Sequence, residues 1–540
     1  MAFILKPFIG TNMERRKFIR NTALGTISLP GIFNGFGITA HGENSDLGKL
    51  YTSTVPTDHV LVIVQMSGGN DGLNTVIPLD QYSNYFNARS NIAIAQNKVL
   101  ALTGTLATGL HPSLTGLRDM YNNGDLCIVQ SAGYPSPNFS HFRATDIWMT
   151  ASNSNEYLTT GFLGRYLNGE YPGFPTGYPN AAMPDPLGIQ FGSATSLLTL
   201  GPSIQNGYTI SDPNSFINNA DGGEDVILPG TPANDKLIYV REISKQTQAY
   251  YTVVKNAYNM PGNANMVTYP TNSSLSNQLK IVARLINGGL KTKLYVVTTG
   301  GFDTHSGQVN TNDTSTGAHA NLMANLGNSI KAFHDDLKLM GKDNRVLGMT
   351  FSEFGRRVKS NASVGTDHGY GAPMFVFGTP ATGGIIGANP VLPAVATVGD
   401  NLPMVNDFRN IYWSIMKRWL CQDAPSLMEI MVRSYTELDV CSNTDCNPGG
   451  RLTNAEQNLV SNFPNPVTGI TTVEFETDGG NTMLQLVTHN GEVLETILEN
   501  EYPRAKKITI PVDMGKYKPG LYYLRYENGS KRQMKAVIKN

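Results

Sequence analysis

Between residues 55 and 440, short apolar runs alternate with amphipathic stretches. Val60-Leu61-Val62-Ile63-Val64, Leu126-Cys127-Ile128-Val129, Leu294-Tyr295-Val296-Val297, Val346 to Phe351 and Met374 to Gly378 are too short for helices. Their β-branched content suits buried parallel strands. Between them Leu322, Leu326, Ile330, Phe333 and Leu337 recur at helical spacing, as do Leu279, Val282, Leu285 and Ile286. Strands alternating with helices predict an α/β domain over residues 58–440, its mostly parallel central sheet flanked by helices. Residues 190–235 show little periodicity and read as a long surface insertion. Residues 441–458 are polar and turn-rich and predict a linker. Beyond it, short strand-like runs flank Asn490-Gly491 and Asn528-Gly529, both two-residue hairpin signals. Residues 459–540 therefore predict a small all-β sandwich.

Composition narrows the class. Only 15% of the 540 residues are charged, 41 Lys+Arg against 42 Asp+Glu, where an average protein has about a quarter. Such a chain has no electrostatic footprint for nucleic acid. Four cysteines exclude a disulfide scaffold or an iron–sulfur protein. Cys441 and Cys446 suit a short disulfide loop, and Cys127, in an apolar run, a plain buried thiol. No apolar run reaches the roughly 18–20 residues of a membrane-spanning helix. At the other end, a basic segment with Arg15-Arg16 precedes a short apolar stretch, so residues 1–40 read as a signal peptide.

The candidate chemistry lies where strands end, because ligands of an open α/β sheet bind outside the carboxyl ends of its strands. The first strand runs into Gly68-Gly69-Asn70-Asp71-Gly72, the second leads to Ser140-His141-Phe142-Arg143, and the Leu294 strand ends in Phe302-Asp303-Thr304-His305. The Val346 strand ends in Ser352-Glu353-Phe354-Gly355-Arg356, and Asp367-His368-Gly369 precedes the fifth strand. Carboxylate and imidazole without thiolate suit a divalent metal such as Zn, Mn or Ca, with Asp71, Asp303, His305, Glu353 and His368 as candidate ligands. Ser140 is the candidate nucleophile, and Arg143 and Arg356 are candidates to neutralise a bound oxyanion. Duller roles compete: Asp71 could shape the glycine turn, and Ser140 could be a plain helix N-cap. His334 reads as solvated, His59 as lying at the opposite sheet edge, and His111-Pro112 as opening a helix.

Several of these segments carry a family resemblance. Met66-Ser67-Gly68-Gly69-Asn70-Asp71-Gly72-Leu73-Asn74, Leu110-His111-Pro112, Ser140-His141-Phe142, Gly161-Phe162-Leu163-Gly164-Arg165, Phe302-Asp303-Thr304-His305, Ser352-Glu353-Phe354-Gly355-Arg356 and Asp367-His368-Gly369 resemble the domain of unknown function 1501 family over about residues 58–420. That family is placed near the alkaline phosphatase and sulfatase superfamily. The resemblance implies Asp71 as the first-strand metal ligand, Ser140 as nucleophile, and Asp303, His305, Glu353 and His368 as further ligands. Phe354 stands where the superfamily has a histidine, which puts a second metal in doubt. Arg15-Arg16 with Phe18 resembles a twin-arginine signal, a route that exports folded, metal-loaded proteins. Phe463-Pro464-Asn465-Pro466, Lys518-Pro519-Gly520-Leu521-Tyr522-Tyr523 and the basic ending resemble a type IX secretion C-terminal sorting domain. Together they imply an exported, metal-dependent hydrolase of a phosphate or sulfate ester, on a small molecule, glycan or lipid. A cell-surface binding protein that keeps the fold without catalysis is the alternative. The expected partners are the substrate and the export machinery.

Overall fold

The computed structural model describes residues 29–33, 36–40, 57–210, 249–442 and 459–539, apart from 172–173, 176, 193–195, 203, 464, 466, 489–492 and 529–530. The twin-arginine segment and most of the expected linker lie outside these residues. The chain divides into two compact units, the larger running from Pro56 to Cys446 and the smaller holding the C-terminal strands.

The larger unit is built on one mixed sheet. Its strands are β1 (Val60–Met66), β2 (Leu126–Gly133), β3 (Gly188–Phe191), β4 (Gly207–Ile210), β5 (Leu294–Thr299), β6 (Val346–Ser352), β7 (Ala372–Phe377) and β8 (Gly384–Ile386). They lie in the order β8-β2-β7-β6-β1-β5-β3-β4, with Asn406–Asp407 also pairing on β2. β6, β1, β5, β3 and β4 run parallel, and β7 is antiparallel to both β6 and β2. Thus β3 and β4 turn the described part of the expected surface insertion into sheet edge.

Alternation along β1 explains the layering, because successive side chains of a strand point to opposite faces. Val60, Val62, Val64 and Met66 pack with α2 (Ser274–Asn287) and α3 (Ala318–Leu339). Leu61 and Ile63 join the opposite core with α1 (His141–Thr150) and α4 (Phe408–Arg418). Each fully buried Val, Leu or Ile contributes about 1.5–3 kcal/mol, so the sheet centre is a rigid platform for its loops.

Three single-residue expectations are corrected here. His334 is buried rather than solvated, because its face of α3 meets Asp125, 3.0 Å from its Nε2. Pro112 does not open a helix: the helix begins at Thr115, and the His111 ring is buried. Cys441 is a free thiol in the apolar core of the larger unit, not half of a short disulfide loop, while Cys421 is disulfide-bonded. Cys127 is a buried free thiol and His59 stacks on Trp419 ahead of β1.

The smaller unit pairs Leu459–Phe463, Ile470–Thr477 and Lys506–Asp513 in one antiparallel sheet. Val493–Tyr502, Gly480–Thr488, Gly520–Asn528 and Lys531–Lys539 form a second. Val473, Phe475, Leu484, Leu486, Val512, Leu524 and Val537 from both sheets make its core. It is an all-β unit closed around inward-facing alternate residues.

Buried imidazoles tie the stability of the larger unit to pH. Burial and the neighbouring His319 push His111 down to about 3, and burial, opposed by Asp71, brings His319 to about 4. An unfolded histidine titrates near 6.5, so below that pH the unfolded chain takes up protons the native state refuses. Stability should therefore fall as pH drops from about 6.5 to about 4 and level off near 3. Urea midpoints at pH 7 and 4.5 check this, and His319→Gln should narrow the difference between them.

Candidate metal centre

Topology decides which residues can meet. β6, β1 and β5 are adjacent and parallel, so the segments leaving them reach the same rim. β7 runs the other way, so the segment that enters it, Asp367-His368-Gly369, starts at that rim too. β2 also ends there, and the loop after it leads into α1, which begins with His141. Gly68, φ +104°, lets two of these loops touch: a Cβ there would stand 2.4 Å from Asp303 N. The short antiparallel pairing of Gly355–Arg356 with His368–Gly369 clamps two more.

At this rim, three imidazoles surround one carboxylate. Asp303 Oδ1 lies 3.2 Å from His305 Nε2 and 3.3 Å from His368 Nε2, and its Oδ2 lies 3.5 Å from His141 Nε2. The Nε2 atoms of His305 and His368 are 2.9 Å apart. His141, Asp303 and His368 each offer a ligand atom within 4.8 Å of the others.

The opposite nitrogen of each ring fixes the chemistry. His368 Nδ1 donates to the Phe139 carbonyl at 2.9 Å, and a carbonyl can only accept. His141 Nδ1 meets the Glu353 carboxylate, and His305 Nδ1 lies 3.3 Å from Asp367 Oδ1. In the neutral rings, Nδ1 therefore carries the proton and Nε2 the lone pair. With the rings neutral, three lone pairs and a carboxylate oxygen converge on one point, a donor set that a cation would satisfy. The spacings also suit one: donors about 2.05 Å from a tetrahedral Zn lie roughly 3.3 Å from each other.

Burial and neighbouring charges act on two members of the cup, His368 and Asp303. Burial, with the Arg356 guanidinium, lowers the His368 pKa against the bond to Phe139. Burial would raise Asp303, but the Arg356 guanidinium and the surrounding histidines outweigh it and hold the carboxyl below its ordinary range. Phe354 supports the rings from beneath, its centroid 4.3 Å from His368 and 5.0 Å from His141.

The predicted residues divide sharply. Asp303, His305 and His368 lie in the cup. Glu353 sits one layer out: Oε1 accepts from Gly68 N at 2.8 Å and Oε2 orients His141. Asp71 does not join. It is 1% exposed and both oxygens are held by Arg89, at 2.7 and 2.8 Å, with Gln308 donating to Oδ2 at 2.6 Å. Arg356 is fully buried and holds the cup rather than an anion, donating to Asp303 Oδ1 at 2.7 Å and to the carbonyls of Gly69, Phe302 and Thr366. Arg143 points elsewhere, to the carbonyls of Asn153, Ser154 and Glu156. Ser140 caps α1 by position, yet its side chain makes no capping bond. It is exposed and stands between Phe139 and His141, which both touch the cup. His141 escaped the sequence reading, although its place beside Ser140 in a strand-end segment was the available signal.

The molecule is thus an α/β protein whose carboxyl rim carries a preorganised imidazole–carboxylate cup. Residues 240–407, which include Asp303, His305, Glu353 and His368, match the family described as "Protein of unknown function (DUF1501)". Residues 461–540 match "Secretion system C-terminal sorting domain". The chain therefore carries a type IX export tail, and its destination is the cell surface or the medium. No helix among the described residues is long and apolar enough to cross a membrane. No curated protein matches the chain.

Solved structures similar to it include an alkaline phosphatase superfamily protein from Vibrio parahaemolyticus, 8% identical over 98% of this chain and 92% of that one, TM-score 0.31. Another is Ps i-CgsB in complex with k-i-k-neocarrahexaose, 12% identical over 73% and 75%, TM-score 0.31. A third is the phosphonate monoester hydrolase SpPMH from Silicibacter pomeroyi, 9% identical over 89% of each chain, TM-score 0.28. Likeness at this level assigns no residue a role.

Proposed function

We propose that this chain is an exported, metal-dependent hydrolase of a phosphate or sulfate ester. The observation that carries the reading is the convergence of three imidazole Nε2 atoms on Asp303, each ring anchored through Nδ1. His141, Asp303 and His368 would hold the metal, with His305 as a further donor. This nitrogen-rich set suits Zn or another first-row transition metal better than Ca, which prefers oxygen ligands. Bound there, such an ion supplies Lewis acidity toward a phosphoryl or sulfuryl oxygen.

The chain's own residues do the rest. Ser140 offers the attacking oxygen, and its hydroxyl is exposed instead of spent on its helix. Glu353 and Phe139 keep His141 and His368 in the ligating tautomer, and Arg356 holds the Asp303 carboxylate in place. Asp71, committed to Arg89, is not available to a second ion, so the reading is a single-metal site.

Ser140→Ala tests the nucleophile. Hydrolysis of aryl phosphates and sulfates should fall by about two orders of magnitude or more. Metal content should stay unchanged, and stability should change by only a few tenths of a kcal/mol, since no capping bond is lost. Equal turnover by wild type and variant removes Ser140 from the mechanism.

A further inference from the structure

Beside the cup lies an open depression of about 520 Å³, lined by Phe139, His305, Arg357, Asp367, His368, Val398 and Gly399. Its one guanidinium is held by neutral groups. Arg357 Nε donates to the His368 carbonyl at 3.2 Å and Nη1 to the Val398 carbonyl at 2.8 Å. Both acceptors are neutral, so they fix the fork without cancelling its charge. The nearby carboxylate, Asp367, turns its Oδ1 to His305 and to Asn361 Nδ2, at 3.3 and 3.1 Å. Among the described residues, no carboxylate forms an ion pair with Arg357; Arg143 and Arg165 are likewise held by neutral oxygens, but of the three only Arg357 lines the depression. Asp367 feels the Arg357 charge but takes no bond or ion pair from it, and a positioned, half-exposed guanidinium without an ion-pair partner can meet an anion.

The walls differ from the floor. Val398 is 75% exposed, and Phe139 stacks on Tyr370 with ring centroids 5.4 Å apart. Apolar groups left in water at the edge of a charged site favour a ligand that covers them.

We infer that Arg357 anchors a tetrahedral oxyanion in this depression, with an apolar substituent of the same ligand lying against Val398 and Phe139. The inference rests on the hydrolase reading for its relevance to substrate, but binding tests it without turnover. It also assigns a role that the neighbouring Arg356 cannot fill. Successive residues of an extended segment point to opposite sides, and Arg356 is the one turned inward.

The test is calorimetric titration of the purified full chain with inorganic phosphate, sulfate, methylphosphonate and phenylphosphonate. Wild type should bind phosphate or sulfate, the preferred one naming the ester class, and should prefer phenylphosphonate to methylphosphonate several-fold. Arg357→Gln should weaken binding about 10- to 100-fold, and Arg357→Lys should recover part of the loss. Lys280→Gln, which removes the same charge from an exposed face of α2, should bind as wild type does. Equal binding by wild type and Arg357→Gln overturns the inference, as does an equal loss in Lys280→Gln. Equal affinity for the two phosphonates overturns the apolar wall.

Should Arg357→Gln not fold, wild type alone decides. Phosphate or sulfate must protect Arg357 from phenylglyoxal modification mapped by mass spectrometry, and absence of protection refutes the anchor. A chain that binds oxyanion through Arg357 yet hydrolyses nothing keeps this inference and loses the hydrolase reading.

Discussion

Asp303→Ala should strip the metal from this protein and leave it folded. Asp303 is the one carboxylate shared by all three imidazoles, and its side chain is 42% exposed, so removing it opens no cavity in the core. Buried Arg356 loses its ion-pair partner, at some cost in stability, but keeps three carbonyl acceptors. Without Asp303, the three neutral Nε2 donors lose the only negative charge in the cup, and metal affinity should drop by more than about 100-fold. Hydrolysis should be lost with the metal. Glu353→Gln probes the layer behind. The amide can still accept from Gly68 N, but it no longer offers His141 a charged acceptor, and such outer partners are typically worth about 10- to 100-fold in metal affinity. Metal titration of both variants, with thermal melting as a control, checks the ranking. A Glu353→Gln loss as large as that of Asp303→Ala would mean that Glu353 is a ligand itself.

Asp71→Ala should produce the largest loss of stability of any single change near the site. The Asp71–Arg89 pair is fully buried, with 1% and 0% exposure. Arg89 also donates to the carbonyls of Val358 and Arg357, tying the glycine turn after β1 to the segment after β6. Deleting one member of a buried pair leaves the other charge uncompensated, at a cost of about 3–5 kcal/mol. Burial alone would raise the Asp71 pKa, but Arg89, His319 and Gln308 outweigh it, and the carboxyl is held below its ordinary value. Its contribution is therefore fully present above about pH 4, where the unfolded carboxyl is ionised, and is lost as pH falls through the lower native value. Denaturant midpoints of wild type and Asp71→Ala should differ most at neutral pH and draw together in acid. Metal content per folded chain should be preserved in the variant, which separates this role from ligation.

The strands were legible because burial on both faces writes itself as unbroken β-branched runs, as in Val60–Val64 and Val346–Phe351. The strands Gly188–Phe191 and Gly207–Ile210 were not, since four residues at a sheet edge carry too little pattern. The antiparallel direction of β7 was equally hidden, because a buried apolar run reads the same both ways, yet that direction brings His368 to the rim. Residue type alone could not sort ligands from supports. Asp71 and Asp303 both follow strands in glycine-rich turns, and only the distant Arg89 and Gln308 divert the first. Arg356 and Arg357 are adjacent, and which of them turns inward is settled by the antiparallel pairing with His368–Gly369 across an intervening loop that carries no strand pattern. His141 stands next to Ser140 at a helix start, and nothing else local marks it as a ligand candidate, because Glu353, which orients its ring, lies 212 residues away.

Elemental analysis of the purified chain by mass spectrometry, after loading with Zn or Mn and desalting, tests the central claim most directly. A single imidazole–carboxylate cup predicts about one metal ion per chain, lost in Asp303→Ala and retained in Asp71→Ala. Wild type that holds no metal after loading, or Asp303→Ala that holds as much as wild type, would contradict the metal centre at this rim.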